Sequence, residues 1–301
     1  MSQVADNLAR LHDSSARVGD SSALRAAMDE DGYLFLPGLL DRQQVAALRS
    51  DVCRVLADVG WLERDADPLE ARPGPVAHRH DWQDLEWFDG YVGIQRLEAF
   101  HALAHDSALC GVLAGLVGDD PLLVHPMKIA RITFPGGDFP TPAHQDFFFN
   151  PASPDTYTAW VPLGDFDKAY GGLRLLPGSH RAGQHEHVAQ PGAGGNGVDV
   201  DLGSPEWRSA DYQMGDVLLF NALTVHHAPV NRADRLRLSA DYRYQSVREP
   251  ILQACLEPSD HWFANGTVVP GWDDLAADWS SLASISVPPG LHVVPHPRAT
   301  N

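Results

Sequence analysis

TPAHQDFFFN, Thr141 to Asn150, sets a histidine and an aspartate two positions apart and follows them at once with three phenylalanines. An ordinary core strand would carry apolar side chains at His144 and Asp146, and an ordinary turn would not carry Phe147, Phe148 and Phe149. On a strand, residues i and i+2 share a face. Read as a strand, the stretch aims an imidazole and a carboxylate at one point, with Gln145 facing away and Phe148 on the side of the pair. Taken alone, the two could equally be a hydrogen-bonded pair capping a turn. The decision rests on whether a third ligand converges on them.

A third ligand is on offer far downstream, in TVHHAPVNRADRLRLSADYRYQ (Thr224 to Gln245). Two histidines and one carboxylate, brought together from distant strands, form the facial triad that leaves positions open on a non-haem Fe(II). The tandem pair His226–His227 cannot supply both rings, because neighbours on a strand point to opposite faces. Further along, Arg235 and Arg237 share one parity while Leu236 and Leu238 take the other. One face is thus cationic and one apolar, as expected if the cationic side opens into a polar pocket. A guanidinium there could hold a carboxylate through two parallel hydrogen bonds. Equally, both arginines could be alternating surface positions, with Arg235 paired to Asp234 or another acid.

The surrounding chain reads as helices first and strands later. YLFLPGLL (Tyr33 to Leu40) is a short strand ending in a turn, and Asp41 is positioned to cap a helix with Val45, Leu48, Val52 and Leu56 at helical spacing. Arg96 to Gly118 reads as one or two amphipathic helices ending at glycine. From Pro121 on, short β-like runs alternate with Gly, Pro, Asn and Asp, the pattern of an antiparallel sandwich or barrel. Two stretches, 62–90 and 181–210, read as long polar insertions in which specificity would be set. Residues 1–20 read as a leader or a peripheral helix, and the tail from about 250 as helix and loop outside the barrel. The expectation is one domain over 21–301, with its barrel core at about 121–246.

Composition narrows the function classes. The chain has 301 residues, 44% of them hydrophobic and 21% charged, enough for a sizeable core. A formal charge of −18 argues against nucleic acid and anionic membrane surfaces, both of which need clustered Lys and Arg. No apolar run is long enough to span a bilayer, and the N-terminus lacks a signal-peptide layout. Cys53, Cys110 and Cys255 are scattered without a CxxC, which fits a reducing cytoplasm rather than a disulfide framework. A small molecule is the expected partner, a free metabolite more than an acyl-CoA. Richness in Ala, Asp, Arg and Gly suggests a high-GC bacterial source, where such enzymes often tailor natural products.

Taken together, His144-Gln145-Asp146, GGLRLLPGSHRAG (Gly171 to Gly183), GDVLLFNALTVH (Gly215 to His226), NRADRLRLS (Asn231 to Ser239) and the opening DEDGYLFLPGLLDRQQVAALR (Asp29 to Arg49) resemble the phytanoyl-CoA dioxygenase family. These are Fe(II)- and 2-oxoglutarate-dependent oxygenases built on a double-stranded β-helix, a jelly-roll or cupin-like core with flanking helices. The resemblance implies that His144, Asp146 and His226 hold the iron, with Asn231 five residues after the ligand histidine as in the family. It implies that Arg237 clamps the distal carboxylate of 2-oxoglutarate and that Trp160 lines that pocket. The hydroxyl-bearing residue that family members carry two after the last ligand is Ala228 here, so Thr224 or Ser239 would replace it. Asp146 separates the chain from related halogenases, which have a small residue at this position. The implied reaction consumes 2-oxoglutarate and O2, releases succinate and CO2, and oxidises a substrate C–H bond.

Arg131, in KIARITF, would face the substrate or form a structural salt bridge, and Phe148 is the phenylalanine placed to reach the site. His227 is expected at the surface or behind the ligands, and His78, His80, His185 and His187 are expected to be solvated. Two alternatives stay open: a jelly-roll metalloenzyme that does not use 2-oxoglutarate, and a non-catalytic binding module. Oligomeric state is not legible.

Overall fold

The computed structural model describes residues 8–74, 85–137, 139–258 and 270–295. From the N-terminus the chain runs through β1 (Ala9–Arg10), α1 (Ser21–Asp31), β2 (Tyr33–Leu36), α2 (Arg42–Asp58), α3 (Leu85–Gln95), α4 (Glu98–Ala102) and α5 (Ser107–Val117). Then come β3 (Leu122–Val124), β4 (Ile129–Thr133), β5 (Thr141–His144), the single turn α6 (Asp146–Phe149) and β6 (Tyr157–Pro162). Short strands follow as β7 (Arg174–Leu175), β8 (Val188–Ala189), β9 (Asn196–Gly197) and β10 (Arg208–Ser209). β11 (Val217–Asn221), β12 (His226–Ala228), β13 (Arg237–Ser246), β14 (Ile251–Leu252), α7 (Trp272–Leu275) and β15 (Val293–Val294) complete the order.

The helices begin where side-chain oxygens can cap them. Asp20 accepts from the amides of Ser22 and Ala23, Asp41 from Gln43, and Asp106 from Ala108 and Leu109, each satisfying donors that have no partner within the helix. In α2 the buried residues include Val45, Leu48, Val52 and Leu56, the stripe its spacing predicts. α1 ends at Gly32 in the left-handed region, φ 77°. No other residue fits there: a Cβ would run into the His180 ring and the Thr224 hydroxyl.

Two sheets make the core. The larger has the order β2-β11-β6-β13-β3, with β4 also paired to β13, and the smaller has the order β1-β10-β7-β12-β5. Strand parity sorts the residues of the larger sheet. Leu238, Ala240, Tyr242 and Tyr244 of β13, Ala159 and Val161 of β6, and Val217 and Leu219 of β11 join the core under α1, α2 and α5. Tyr242 and Tyr244 also donate to the carbonyls of Phe100 and Ala104, pinning the sheet to the helical layer. The opposite parity, Trp160, Leu218 and Phe220, packs with Leu175 and Ala228 of the smaller sheet. The two sheets therefore face each other across an interior, in the jelly-roll arrangement of the double-stranded β-helix.

Three boundaries differ from expectation. Part of the stretch read as a leader is sheet: β1 pairs in parallel with β10, and Leu11 is buried. The barrel reaches upstream of 121, because β2 lies antiparallel to β11 from Val217↔Leu36 to Phe220↔Tyr33. The 181–210 segment is more than an appended loop: it supplies β10 and the fully buried Trp207, which seals the outer face of the smaller sheet with Ala143 and Val225. Local polarity conceals this, since a segment can be anchored by one large ring. Beyond 250, β14 and β15 pair in parallel outside the barrel. Among the described residues, no single helix is long and apolar enough to cross a membrane. His78 and His80 lie outside the described residues.

Candidate metal centre

The strand pairing builds the site. β12 lies antiparallel to β5 with His226 directly opposite His144, and the two rings sit 4.2 Å apart between centroids. Asp146 completes the set: its Oδ1 is 3.8 Å from Nε2 of His144 and 3.8 Å from Nε2 of His226. One donor atom from each of the three residues lies within 4.8 Å of the others, and all three side chains are buried. Both imidazoles are pre-set for a metal. Nδ1 of His144 donates to the Pro142 carbonyl at 2.8 Å, and Nδ1 of His226 donates to the Thr224 carbonyl at 2.9 Å. That leaves each Nε2 lone pair pointing inward, the role an outer hydrogen bond commonly plays for a ligand histidine. Burial holds both imidazoles below their usual pKa, so they are neutral near pH 7. The donor set and its tautomers fit a divalent iron.

Asp146 is arranged with equal care. Burial by itself would raise its carboxyl, but Arg243, the two imidazoles and the Thr158 hydroxyl together hold it below the carboxylate range. Thr158 donates to Oδ2 at 2.6 Å, and Nη2 of Arg243 stands 3.5 Å from Oδ1. Thr158 and Arg243 face each other across β6 and β13. One oxygen is thus occupied, and the other is directed at the histidines.

The strand reading of the opening stretch needs correction at its end. β5 stops at His144, and Asp146 already opens the helical turn α6. Period-two parity therefore does not carry to Phe148. Its ring stacks on His187 at 4.0 Å and 8°, while Phe149 sets its edge against His144 at 5.6 Å. His187 is accordingly not a solvated loop residue: its Nε2 accepts from the Gln145 amide and its Nδ1 donates to the His185 carbonyl. Gln145, expected to face away, is buried and fastens the loop. Its Nε2 donates to the carbonyls of Gly183 and Leu223, and its Oε1 accepts from the His185 amide.

The tandem histidines resolve as strand geometry requires. His227 points to the outer face, edge-on to Trp207 at 4.6 Å and 71°. It is buried rather than at the surface, with neither ring nitrogen partnered among the described residues.

Arg237 lies 4% exposed on the inner face of β13. It donates to the Gly171 carbonyl and to Thr133 Oγ1, while its Nε has no partner among the described residues. Burial, then the charge of Arg131, pushes its pKa down to about 10, still cationic at neutral pH. Gly171 has φ 66°, and a Cβ there would strike the Pro229 carbonyl, so glycine lets its own carbonyl reach the guanidinium. Ser239, two residues along the same face, has a buried hydroxyl without a partner. Thr224 does not: its hydroxyl donates to the Gly32 carbonyl at 2.7 Å. Trp160 sits edge-on to Tyr212 within the inter-sheet core. Arg131 is held by Asp241 at 2.7 Å, and Arg235 by Asp234 and Glu70 near the surface. Thr158, Gln145 and Arg243 were not singled out from sequence. Only parity with Arg237, applied along DYRYQ, would have put Arg243 on the inner face.

A jelly roll whose facing sheets bring two neutral histidines and one carboxylate to a point defines a non-haem iron oxygenase. The chain belongs to the phytanoyl-CoA dioxygenase (PhyH) family, whose model matches residues 28–239. It is 28% identical over 257 residues to the 1-deoxypentalenic acid 11-beta-hydroxylase of Streptomyces arenae, covering 80% of this chain and 87% of that one. In structure it resembles the non-haem alpha-ketoglutarate-dependent epimerase SnoN from nogalamycin biosynthesis, at TM-score 0.53 and 25% identity, over 77% of this chain and 85% of that one. The iron-bound EctD of S. alaskensis shares the fold at TM-score 0.56 and 20% identity, over 96% and 92% of the respective chains.

Proposed function

We propose that the protein uses Fe(II), 2-oxoglutarate and O2 to hydroxylate an unactivated C–H bond of a free small molecule, releasing succinate and CO2. The observation that carries the cosubstrate is Arg237. A buried guanidinium with an unmet N–H, next to an unmet Ser239 hydroxyl on the same face of β13, asks for an anion. The distal carboxylate of 2-oxoglutarate meets that need. His144, Asp146 and His226 hold the iron; Arg237 and Ser239 orient the cosubstrate, with Trp160 along its side. Phe149, edge-on to His144, helps wall off the site so that the oxidant is shielded from water. Bound iron and 2-oxoglutarate supply the oxidising power, by oxidative decarboxylation of the keto-acid. Asp146 occupies the position a halide would need, which favours oxygenation over halogenation. The hydroxylase relative, named for a small organic acid, supports a free metabolite as substrate. Three scattered cysteines with no CxxC fit a reducing, cytoplasmic setting.

The test is an anaerobic titration of 2-oxoglutarate into the Fe(II)-loaded protein, watched for a weak visible charge-transfer band that saturates. Arg237→Ala removes charge-assisted hydrogen bonds of about 1.5–3 kcal/mol, so half-saturation should rise by about 10- to 100-fold. Iron binding with no band would favour a metalloenzyme that does not use 2-oxoglutarate, and absence of iron binding would favour a binding module.

A further inference from the structure

Arg243 is a buried cation whose donors are unmet. It lies on the inner face of β13 and is 4% exposed. Its Nε has no partner, and among the described residues no nitrogen of its head makes a hydrogen bond. Its one ion pair there is the 3.5 Å approach to Asp146 Oδ1. Thr158 already satisfies the other oxygen of that carboxylate. A guanidinium carries five N–H donors, and leaving them unmet in a dry site is costly even beside one carboxylate. The other two inward arginines are provided for. Arg131 is bound to Asp241, and Arg237 has two protein acceptors and, in the function proposed above, the cosubstrate.

Charge balance points the same way. Three arginines (131, 237 and 243) face two carboxylates (146 and 241), while each ligand imidazole keeps its proton on Nδ1 and adds no charge when its Nε2 holds a metal. Ferrous iron adds two positive charges and 2-oxoglutarate two negative ones, so the loaded site keeps one positive charge uncompensated. Long-range steering cannot bring in an anion, because the molecule as a whole carries −18. Recognition must then come from a cation embedded in the site.

We propose that Arg243 receives the carboxylate of the organic substrate, which is therefore a monocarboxylic acid. A planar fork matches a carboxylate through two parallel hydrogen bonds and rejects a neutral isostere. This substrate class rests on the oxygenase reading. The keto-acid carboxylate of 2-oxoglutarate is the other source of the same chemistry, and the test separates the two.

The experiment uses the full chain loaded with Mn(II), with and without 2-oxoglutarate. A panel of aliphatic, alicyclic and aromatic monocarboxylic acids, each paired with its primary amide, is screened by thermal shift and then by calorimetric titration. Some acids should bind while their amides do not. Arg243→Gln should weaken those acids at least tenfold, and by clearly more than it changes the affinities for Mn(II) and 2-oxoglutarate. Arg243→Lys should recover part of the loss. The proposal is overturned if no acid binds, if the amides bind equally well, or if Arg243→Gln leaves acid binding intact. It is also overturned if that variant weakens 2-oxoglutarate at least as much as the acids, making the keto-acid the anion, or Mn(II) at least as much, leaving Arg243 with no role beyond its contact with Asp146. Should Arg243→Gln fail to fold, Arg243→Lys and the acid–amide comparison on the wild type decide. Wild type that binds Mn(II) but no 2-oxoglutarate would sink the cosubstrate reading instead, and the arm without 2-oxoglutarate still tests the acid site.

Discussion

Replacing His227 by leucine is expected to stabilise the protein, and to do so more in acid. The side chain is 3% exposed, with neither ring nitrogen partnered. Each unmet buried polar group costs about 1–3 kcal/mol. At the low end of that range leucine recovers about 2–3 kcal/mol for the pair, and it forfeits about 0.5–1.5 kcal/mol of edge contact with Trp207. The net gain is about 1–2 kcal/mol. At about 2.1 cal/mol/K per residue, a chain of 301 residues melts with an entropy near 0.6 kcal/mol/K. The gain is then about 2–3 °C in Tm at pH 7.5. Burial, with Arg174 and His226 nearby, pushes the native pKa of His227 down to about 3, against about 6.5 in the unfolded chain. Between those values the unfolded state binds a proton that the native state does not. Wild-type stability is therefore intact above pH 6.5 and falls by about 1.4 kcal/mol per unit on the way down. At pH 5 the gap between variant and wild type should widen to about 3–4 kcal/mol, or 5–6 °C. Calorimetric melts of the metal-free proteins at pH 7.5, 6 and 5 read this directly, because groups common to both cancel in the difference. Mn(II) affinity should be unchanged in His227→Leu and lost in His226→Leu. A gap that does not vary with pH, or loss of metal from His227→Leu, would refute the assignment of the two rings to opposite faces.

Two further outcomes follow from the structure. Thr158→Val keeps the shape of the side chain but removes the 2.6 Å hydrogen bond to Asp146. Metal affinity should drop by about 10- to 100-fold, and calorimetric Mn(II) titration would show it. Lys128 is fully buried with its Nζ donating to the carbonyls of His125, Pro126 and Ser284, and burial pushes its amine down to about 7. An unfolded lysine keeps its proton up to about 10.4, so stability should rise with pH between about 7 and 10 and lose that slope in Lys128→Met. Tm measured against pH for the two proteins tests it.

Much of the site is legible in the sequence because its signals are local. Spacing of two in His144-Gln145-Asp146, opposite faces for His226 and His227, and shared parity for Arg237 and Ser239 are all properties of a short segment. Caps at Asp20, Asp41 and Asp106 are local too, since a side-chain oxygen reaches amides two or three residues on. The same locality explains the misreading of Phe148: period two holds only while the strand lasts, and the backbone turns into α6 at Asp146.

What only the tertiary structure decided is which distant group stands beside which ligand. Thr158 and Arg243 meet at Asp146 because β6 and β13 pair in one register, and a shift by one residue would turn both side chains to the helical face. Gln145 holds the 183–187 loop, Trp207 covers His227, and residues 9–10 join the smaller sheet by pairing with the distant β10. Spacing set His144 beside Asp146, and the family resemblance named His226 with them as the iron ligands. Register and burial, which depend on residues far apart in sequence, determined how the carboxylate is held and which arginine keeps unmet donors.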